Sequence, residues 1–358
     1  MKRIAINTGG GDAPGLNAVI RSVALSALNR GWEVLGIRRG YEGLLSDGPD
    51  GLIALDRAAV RGIAHLGGTI LGTTNRGDPF RYPVEKDGQK IPTDVSPRVV
   101  ERFKELGVDA LVALGGDGSM TIARRLLERG LPRVIGVPKT IDNDLRGTNV
   151  TFGFATAVET TTEALDRLHS TAQAHRRVMV VEVMGRHTGW IAAYGGIAGG
   201  ADVVLVPEHP FRITRVCELL AQRVKHGRNF SIVVVAEDAH PHPDESWLSE
   251  EQCDVIYRHH RLGGIGEALA AEIERCTGLQ TRVTKLGYVQ RGGSPTAFDR
   301  ILATRFGIKA YEMVKAGQWG EMAAIRGNRI VSVPLTEAVG SLKRLDEEIY
   351  RVAEVFFG

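Results

Sequence analysis

Ala110-Leu111-Val112-Ala113-Leu114 runs directly into Gly115-Gly116-Asp117-Gly118-Ser119. An apolar run of strand length that ends on glycines, followed by Ile122, Ala123, Leu126 and Leu127 at helical spacing up to Gly130, reads as strand, turn and helix. The same unit recurs along the chain. Apolar, β-branched runs at residues 4–7, 134–137, 178–183, 203–206 and 231–236 alternate with helical-period segments, which predicts a mainly parallel sheet covered by helices on both faces. The first helix is expected to present Leu16, Val19, Ile20, Val23, Ala27 and Leu28 on one face and to stop at Gly31.

The glycines carry chemistry as well as geometry. After Thr8, the stretch Gly9-Gly10-Gly11-Asp12-Ala13-Pro14-Gly15 lets backbone N–H groups approach an anion at the start of a helix. Pro14 stands where a dinucleotide fingerprint needs its third glycine, so that motif is excluded. Gly115 to Ser119 repeats the logic and adds a carboxylate suited to Mg²⁺ and a hydroxyl able to reach a phosphate; an Asx-type turn capping the next helix is the lesser alternative. No GxxxxGK[ST] occurs, which disfavours a P-loop enzyme.

Pro138-Lys139-Thr140-Ile141-Asp142-Asn143-Asp144 ends another expected strand. In extended backbone, residues i and i+2 point the same way, so Asp142 and Asp144 are expected to share a face while Asn143 turns aside. One such carboxylate can accept a hydroxyl proton while the other biases a metal or its water shell. A pair of aspartates in a solvated turn is the plainer alternative. Arg186, after the strand at 178–183, would stand where charge develops on a transferring phosphoryl group.

Composition narrows the classes. A length of 358 residues favours two lobes, and 44 glycines suit a protein with many ligand-approaching turns. A net charge of +3 without basic blocks argues against nucleic acid. Cys217, Cys253 and Cys276 have neither disulfide nor zinc spacing. No apolar run approaches membrane-spanning length and no signal region precedes the first strand, so a cytoplasmic protein is expected.

Taken with Gln290-Arg291-Gly292-Gly293-Ser294-Pro295, these motifs closely resemble the 6-phosphofructokinase family from about Ile4 to Gly340. The resemblance implies two doubly wound, mainly parallel αβα lobes with the active site in the cleft between them. Residues 1–153 and 291–340 would form the phosphate-donor lobe, and 154–290 with 341–358 the fructose 6-phosphate lobe. It implies phosphorylation of the sugar 1-hydroxyl, the committed step of glycolysis, with ATP as donor and Mg²⁺ as metal.

Residue by residue, the resemblance gives Asp117 to the metal and Gly11, Arg76, Gly116, Gly118 and Ser119 to ATP, with Tyr41 and Arg81 as additions. Asp142 becomes the base, assisted by Asp144, Thr140 and Arg186. Met184, Gly185, Glu237 and Tyr288 would line the sugar pocket. Arg177, Arg282 and Arg291 would hold its 6-phosphate, the first two from a neighbouring subunit of a homodimer or homotetramer.

Two positions bear on the donor. Pyrophosphate-using members typically carry Asp where Gly118 stands and Lys where Lys139 stands, so this chain combines an ATP-type glycine with a pyrophosphate-type lysine. ATP is the expected donor and pyrophosphate the alternative; an NAD- or lipid-kinase-like enzyme and a non-catalytic nucleotide sensor are more distant. Tyr288, where many ATP-dependent members have His, points the same way as Lys139. In the family's nucleotide effector site Arg21 and Arg228 match, but Leu25 and His169 replace arginines, so strong effector control is not expected.

Overall fold

The computed structural model describes residues 2–45, 49–86, 88–131, 133–258 and 262–357. Its elements begin β1 (Arg3–Thr8), α1 (Leu16–Leu28), β2 (Glu33–Ile37), α2 (Glu42–Leu45), β3 (Leu52–Ala54), β4 (Tyr82–Lys86) and β5 (Gln89–Thr93). There follow α3 (Ser96–Glu105), β6 (Ala110–Gly115), α4 (Asp117–Glu128), β7 (Val134–Pro138), α5 (Phe154–His175), β8 (Val178–Val183), α6 (Trp190–Ala198) and β9 (Val203–Leu205). The chain continues through α7 (Ile213–Lys225), β10 (Ser231–Ala236), α8 (Glu250–Cys253), α9 (Ile265–Thr277) and β11 (Thr281–Lys285). It ends with α10 (Ala297–Ala316), β12 (Glu321–Arg326), β13 (Arg329–Pro334), α11 (Leu335–Ala338) and α12 (Glu347–Glu354).

These elements pack as two units, one of Met1–Thr140, Leu145–Ala155 and Arg291–Leu342, the other of Ile141–Asp144, Thr156–Gln290 and Lys343–Gly358. The segment Ile141–Asp144, which lies inside the 1–153 stretch of the sequence reading, packs with the second unit.

The first unit is built on a seven-stranded sheet in the order β13-β12-β7-β6-β1-β2-β3. Alternation of side chains sorts each central strand between two cores. Ile4, Ile6, Val112 and Leu114 pack with Val19, Ile20, Val23 and Phe306 from α1 and α10, whereas Ala5, Leu111 and Ala113 pack with Val99, Phe103, Met120 and Leu126 from α3 and α4. Burying each large side chain contributes about 1.5–3 kcal/mol, so covering both faces fixes the sheet that carries the glycine turns. Gly15 opens α1 at φ 109°, and a Cβ there would come within 2.9 Å of the Phe152 ring.

The second unit holds an all-parallel sheet, β11-β8-β10-β9. Val178 pairs with both Ser231 and Thr281, so the strands start together and finish together. Met184 and Glu237 therefore follow the carboxyl ends of β8 and β10, while Arg177 and Arg282 lie at the amino ends of β8 and β11.

Two segments with loop-like composition are more ordered than expected. Within 82–97, β4 and β5 pair antiparallel from Tyr82↔Thr93 to Lys86↔Gln89, and Pro97 lies in the first turn of α3, where its missing N–H costs nothing. Within 238–261, Ser249 caps α8 with a reciprocal Gln252 box; residues 259–261 lie outside the described residues. Among the described residues, no helix is long and apolar enough to cross a membrane.

Candidate active site

Side-by-side pairing of β1 and β6, Thr8 opposite Leu114, brings their glycine turns together in the first unit. Gly9 N–H donates to the Leu114 carbonyl at 2.9 Å, and a Cβ on Gly9 would meet the Ser119 hydroxyl at 2.7 Å. The segment 72–76 lies alongside: Thr73 Oγ1 donates to the Gly10 carbonyl at 2.5 Å, and Gly10 N–H to Thr74 O at 3.1 Å. Asp117 is the first residue of α4, where the helix N-terminus favours negative charge or a bound anion. Gly118 is exposed, and nothing lies within 4 Å of where its Cβ would be.

Lys139 follows β7 and is 3% exposed. Its N–H donates to Gly115 O at 2.9 Å, and its ammonium donates to the Gly11 carbonyl, so it reaches both turns. Arg291 also faces this region, its Nη1 2.9 Å from the position of a Gly11 Cβ. The guanidinium expected on the sugar phosphate thus belongs, in this unit, to the neighbourhood of the first glycine turn. Thr140 is buried, its carbonyl accepting from Thr151 Oγ1 at 2.7 Å.

Arg76 and Arg81 are exposed. Tyr41, an addition to the nucleotide site through the resemblance, is 5% exposed within a core cluster that includes Ile37, Leu44 and Phe80. Burial pushes its phenol far above the usual range and leaves almost no ring surface for a base to stack on.

In the second unit Asp142, Asn143 and Asp144 are all buried. The segment is not extended: Asn143 has φ 52°, so the period-two argument for a shared face does not hold there. Asn is among the residues that enter this left-handed region at least cost. Thr188 Oγ1 donates to the Asp142 carbonyl at 3.1 Å.

The loop after β8 is equally constrained. Gly185 has φ 145°, and a Cβ there would meet the Thr188 carbonyl at 2.5 Å. Arg186, at φ 52° and exposed, donates its N–H to Glu237 Oε1 at 2.9 Å, which joins the ends of β8 and β10. Met184 N–H is held by Gln290 Oε1 at 2.9 Å, and Gln290 Nε2 reaches Thr161 Oγ1 at 3.0 Å. Tyr288, two residues earlier, is 84% exposed.

Arg177 and Arg282 are not brought to this end. Arg177 Nε donates to Gln280 Oε1 at 2.7 Å, and Arg282 Nη1 lies 3.9 Å from Glu274. Separated from Arg186 by the length of a six-residue strand, about 20 Å, neither can share a small ligand with it inside one unit.

Some anchoring residues were not singled out from sequence. Gln290 stands first in a motif quoted for its arginine and glycines. Thr188, Glu208 and Lys343 carry no local signal, because what they hold is distant in sequence. Glu208 accepts from Gly189 N–H at 3.0 Å and Leu345 N–H at 2.9 Å. Of the effector-site positions, His169 and Arg228 line a cavity of about 380 Å³ beside the Asp202–Arg223 ion pair at 2.6 Å; Arg21 and Leu25 lie on α1 of the first unit.

Among the described residues no cluster of three or more His, Cys, Asp or Glu side chains could cage a metal ion. Asp117, at the start of α4 and beside the two glycine turns, is a carboxylate that could hold Mg²⁺ if phosphates and water completed its shell.

Glycine turns at the carboxyl ends of parallel strands, with a helix starting from each, mark α/β proteins that bind phosphorylated ligands, and this chain is one of them. The family model described as Phosphofructokinase matches residues 3–314, and the chain belongs to the phosphofructokinase family. An ATP-dependent 6-phosphofructokinase of Chloroflexus aggregans is 51% identical over 345 residues, 96% of this chain and 93% of that protein. A pyrophosphate–fructose 6-phosphate 1-phosphotransferase of Streptomyces coelicolor is 48% identical over 358 residues, 99% of this chain and 100% of that one. Among solved structures, phosphofructokinase from Saccharomyces cerevisiae matches at TM-score 0.77 and 32% identity over 94% of this chain; the chain spans 45% of the yeast one.

Proposed function

We propose that this protein transfers the γ-phosphoryl group of ATP to the 1-hydroxyl of fructose 6-phosphate, giving fructose 1,6-bisphosphate and ADP in the cytoplasm. Relatives named for ATP and for pyrophosphate are nearly equally similar, so the choice of donor rests on the side chains. The observation that carries it is Gly118: its exposed, open surroundings leave room for the α-phosphate of a nucleotide and add no negative charge. Lys139 supports the second reading, pyrophosphate, since its buried ammonium stands among the turns that would receive a donor.

On the donor side, N–H groups of the two glycine turns and the hydroxyl of Ser119 bind phosphates, and Asp117 holds Mg²⁺. When bound, the metal neutralises charge on the phosphates. Lys139 adds a positive charge near the transferred group, and Thr140 follows it in the chain. On the acceptor side Asp142 takes the proton of the 1-hydroxyl, Asp144 assists it, and Arg186 stabilises the phosphoryl charge. Met184, Gly185 and Glu237 shape the sugar pocket.

Arg177 and Arg282 act on the 6-phosphate from a second copy in a homodimer or homotetramer; their place at the opposite end of the sheet from Arg186 supports this. A coupled assay for fructose 1,6-bisphosphate, run with ATP and with pyrophosphate side by side, tests the proposal. Turnover with pyrophosphate but not ATP overturns the donor, and turnover with neither overturns the reaction.

A further inference from the structure

The chain returns to the Asp142–Asp144 segment from its far C-terminal part. Lys343 N–H donates to the Asp144 carbonyl at 2.8 Å, and Lys343 Nζ donates to the Asn143 side-chain oxygen at 2.9 Å. The lysine is itself fixed: Trp190 Nε1 donates to the Lys343 carbonyl at 2.9 Å, and the ammonium lies 5.0 Å from the centre of the indole. Two residues on, Leu345 N–H is tied to Glu208, which also holds Gly189 at the start of α6.

We propose that Lys343 is a positioning residue for the phosphoryl-accepting step: by holding the Asn143 side chain and the Asp144 carbonyl, it keeps Asn143 left-handed and so fixes where the Asp142 and Asp144 carboxylates point. The inference deepens the proposed function and rests on its reading of those two aspartates. Asn143 sits between them at φ 52°, a left-handed conformation open to Asn at low cost, and its side-chain oxygen is held there by Lys343 Nζ. Thr188 secures the segment at Asp142 and Lys343 secures it at Asn143 and Asp144. The main-chain bond to Asp144 survives substitution of the side chain by any residue except proline, so the side chain's share can be isolated.

A structural convenience would not need an ammonium here. Burial lowers the Lys343 pKa to about 8, against the attraction of Asp346 and Asp144, so a charge is kept at a site that resists it. A methionine would reproduce the stem against Trp190 without that cost.

The test uses Lys343→Met, Lys343→Arg, Asn143→Gly and the Met/Gly double variant of the full chain. Since a misplacement of about 1 Å can cost 10²-fold, Lys343→Met is expected to lower kcat roughly 10- to 100-fold with the KM for fructose 6-phosphate within about twofold of wild type. Lys343→Arg should recover most of the loss. Adding Lys343→Met to Asn143→Gly should cost less than about threefold more, because the two act as one unit. Amide exchange in a peptide spanning residues 139–148 should quicken in Lys343→Met, whichever donor the enzyme uses. Unchanged exchange together with unchanged kcat overturns the proposal, as does a double variant whose losses simply multiply. An inactive wild-type protein overturns the assigned reaction instead, and the exchange measurement still decides whether Lys343 holds the segment.

Discussion

Gly9 and Ser119 lie so close that a Cβ added to the glycine would stand 2.7 Å from the serine hydroxyl. The contact follows from pairing of β1 with β6, which sets the two turns side by side. A serine can swing its hydroxyl aside, but doing so removes it from the phosphate it is read to hold. Gly9→Ala is therefore expected to raise the KM for the phosphoryl donor about tenfold, in line with the loss of one charge-assisted hydrogen bond, and to leave the KM for fructose 6-phosphate unchanged. Adding Ser119→Ala should cost little further. Steady-state kinetics of the three variants check this, and an equal rise in both KM values would place the effect elsewhere.

Gly118 gives the complementary case. With nothing within 4 Å of a Cβ, Gly118→Asp can be accommodated without repacking, so its melting temperature should match wild type. The new carboxylate would face the phosphate chain in solvent, where a charge pair at close range is worth about 1–4 kcal/mol. We expect kcat/KM with ATP to fall at least about tenfold and kcat/KM with pyrophosphate to fall less, so that the donor ratio shifts. An unchanged ratio would separate position 118 from donor choice.

What could be read from sequence, and what could not, divides by range. The buried strands at 110–114, 178–183 and 231–236 announce themselves through local apolar runs, and the helix from Leu16 through the expected face of Val19, Ile20 and Val23. Family membership was legible because GGDGS, PKTIDND and QRGG are contiguous. The hairpin at 82–93 was missed because its strands are mostly exposed and carry no apolar alternation. Tyr41 was assigned to the nucleotide site through the family resemblance, and no local signal announces that its ring is buried in a cluster with Ile37, Leu44 and Phe80. The bend at Asn143 was hidden for a different reason: residues from distant parts of the chain, Thr188 and Lys343, hold it.

Cysteine reactivity should follow burial. Cys217 is 9% exposed, and desolvation, with Cys276 beside it adding to the effect, pushes its thiol up to about 12; Cys276 itself is exposed. Since the thiolate is the nucleophile, an alkylating reagent at pH 8 should modify Cys276 well before Cys217 in the folded protein, and both at similar rates in denaturant. Peptide mapping over time checks the order, and equal rates in the folded state would contradict it.

Burial of Lys343 has a consequence for stability that pH exposes. Its pKa is about 8 in the folded protein against an ordinary 10.5, so between those values the unfolded chain binds more protons than the folded one. The Lys343 contribution to stability must then rise with pH across that window: the cost of burying the charge is in full force below pH 8 and has lifted by about pH 10.5. Asp144 and Asp346 face the ammonium, and they and Tyr194, whose own pKa is raised by burial and by Asp346, are common to both proteins. The melting temperature of wild type minus that of Lys343→Met should therefore increase from pH 7.5 to pH 10, and a difference flat with pH would mean the lysine is not desolvated.

The separation of Arg177 from Arg186 allows a test of subunit sharing that needs no structure of the assembly. Asp142→Asn should lower kcat by about 10²- to 10⁴-fold, the range for a positioned base, and Arg177→Ala should abolish turnover at low fructose 6-phosphate. If Arg177 serves a neighbouring copy, a mixture of the two variants, dissociated and reassembled, contains hybrid sites in which Asp142 and Arg177 are both intact. Random pairing in a two-fold dimer gives about half hybrids with one good site each, or about a quarter of wild-type activity. If Arg177 instead acts within its own chain, every hybrid site lacks one of the two groups and the mixture stays as inactive as its components. Recovery on mixing would show at once that the protein is an oligomer, that Arg177 reaches across it, and that Asp142 and Arg177 serve the same substrate.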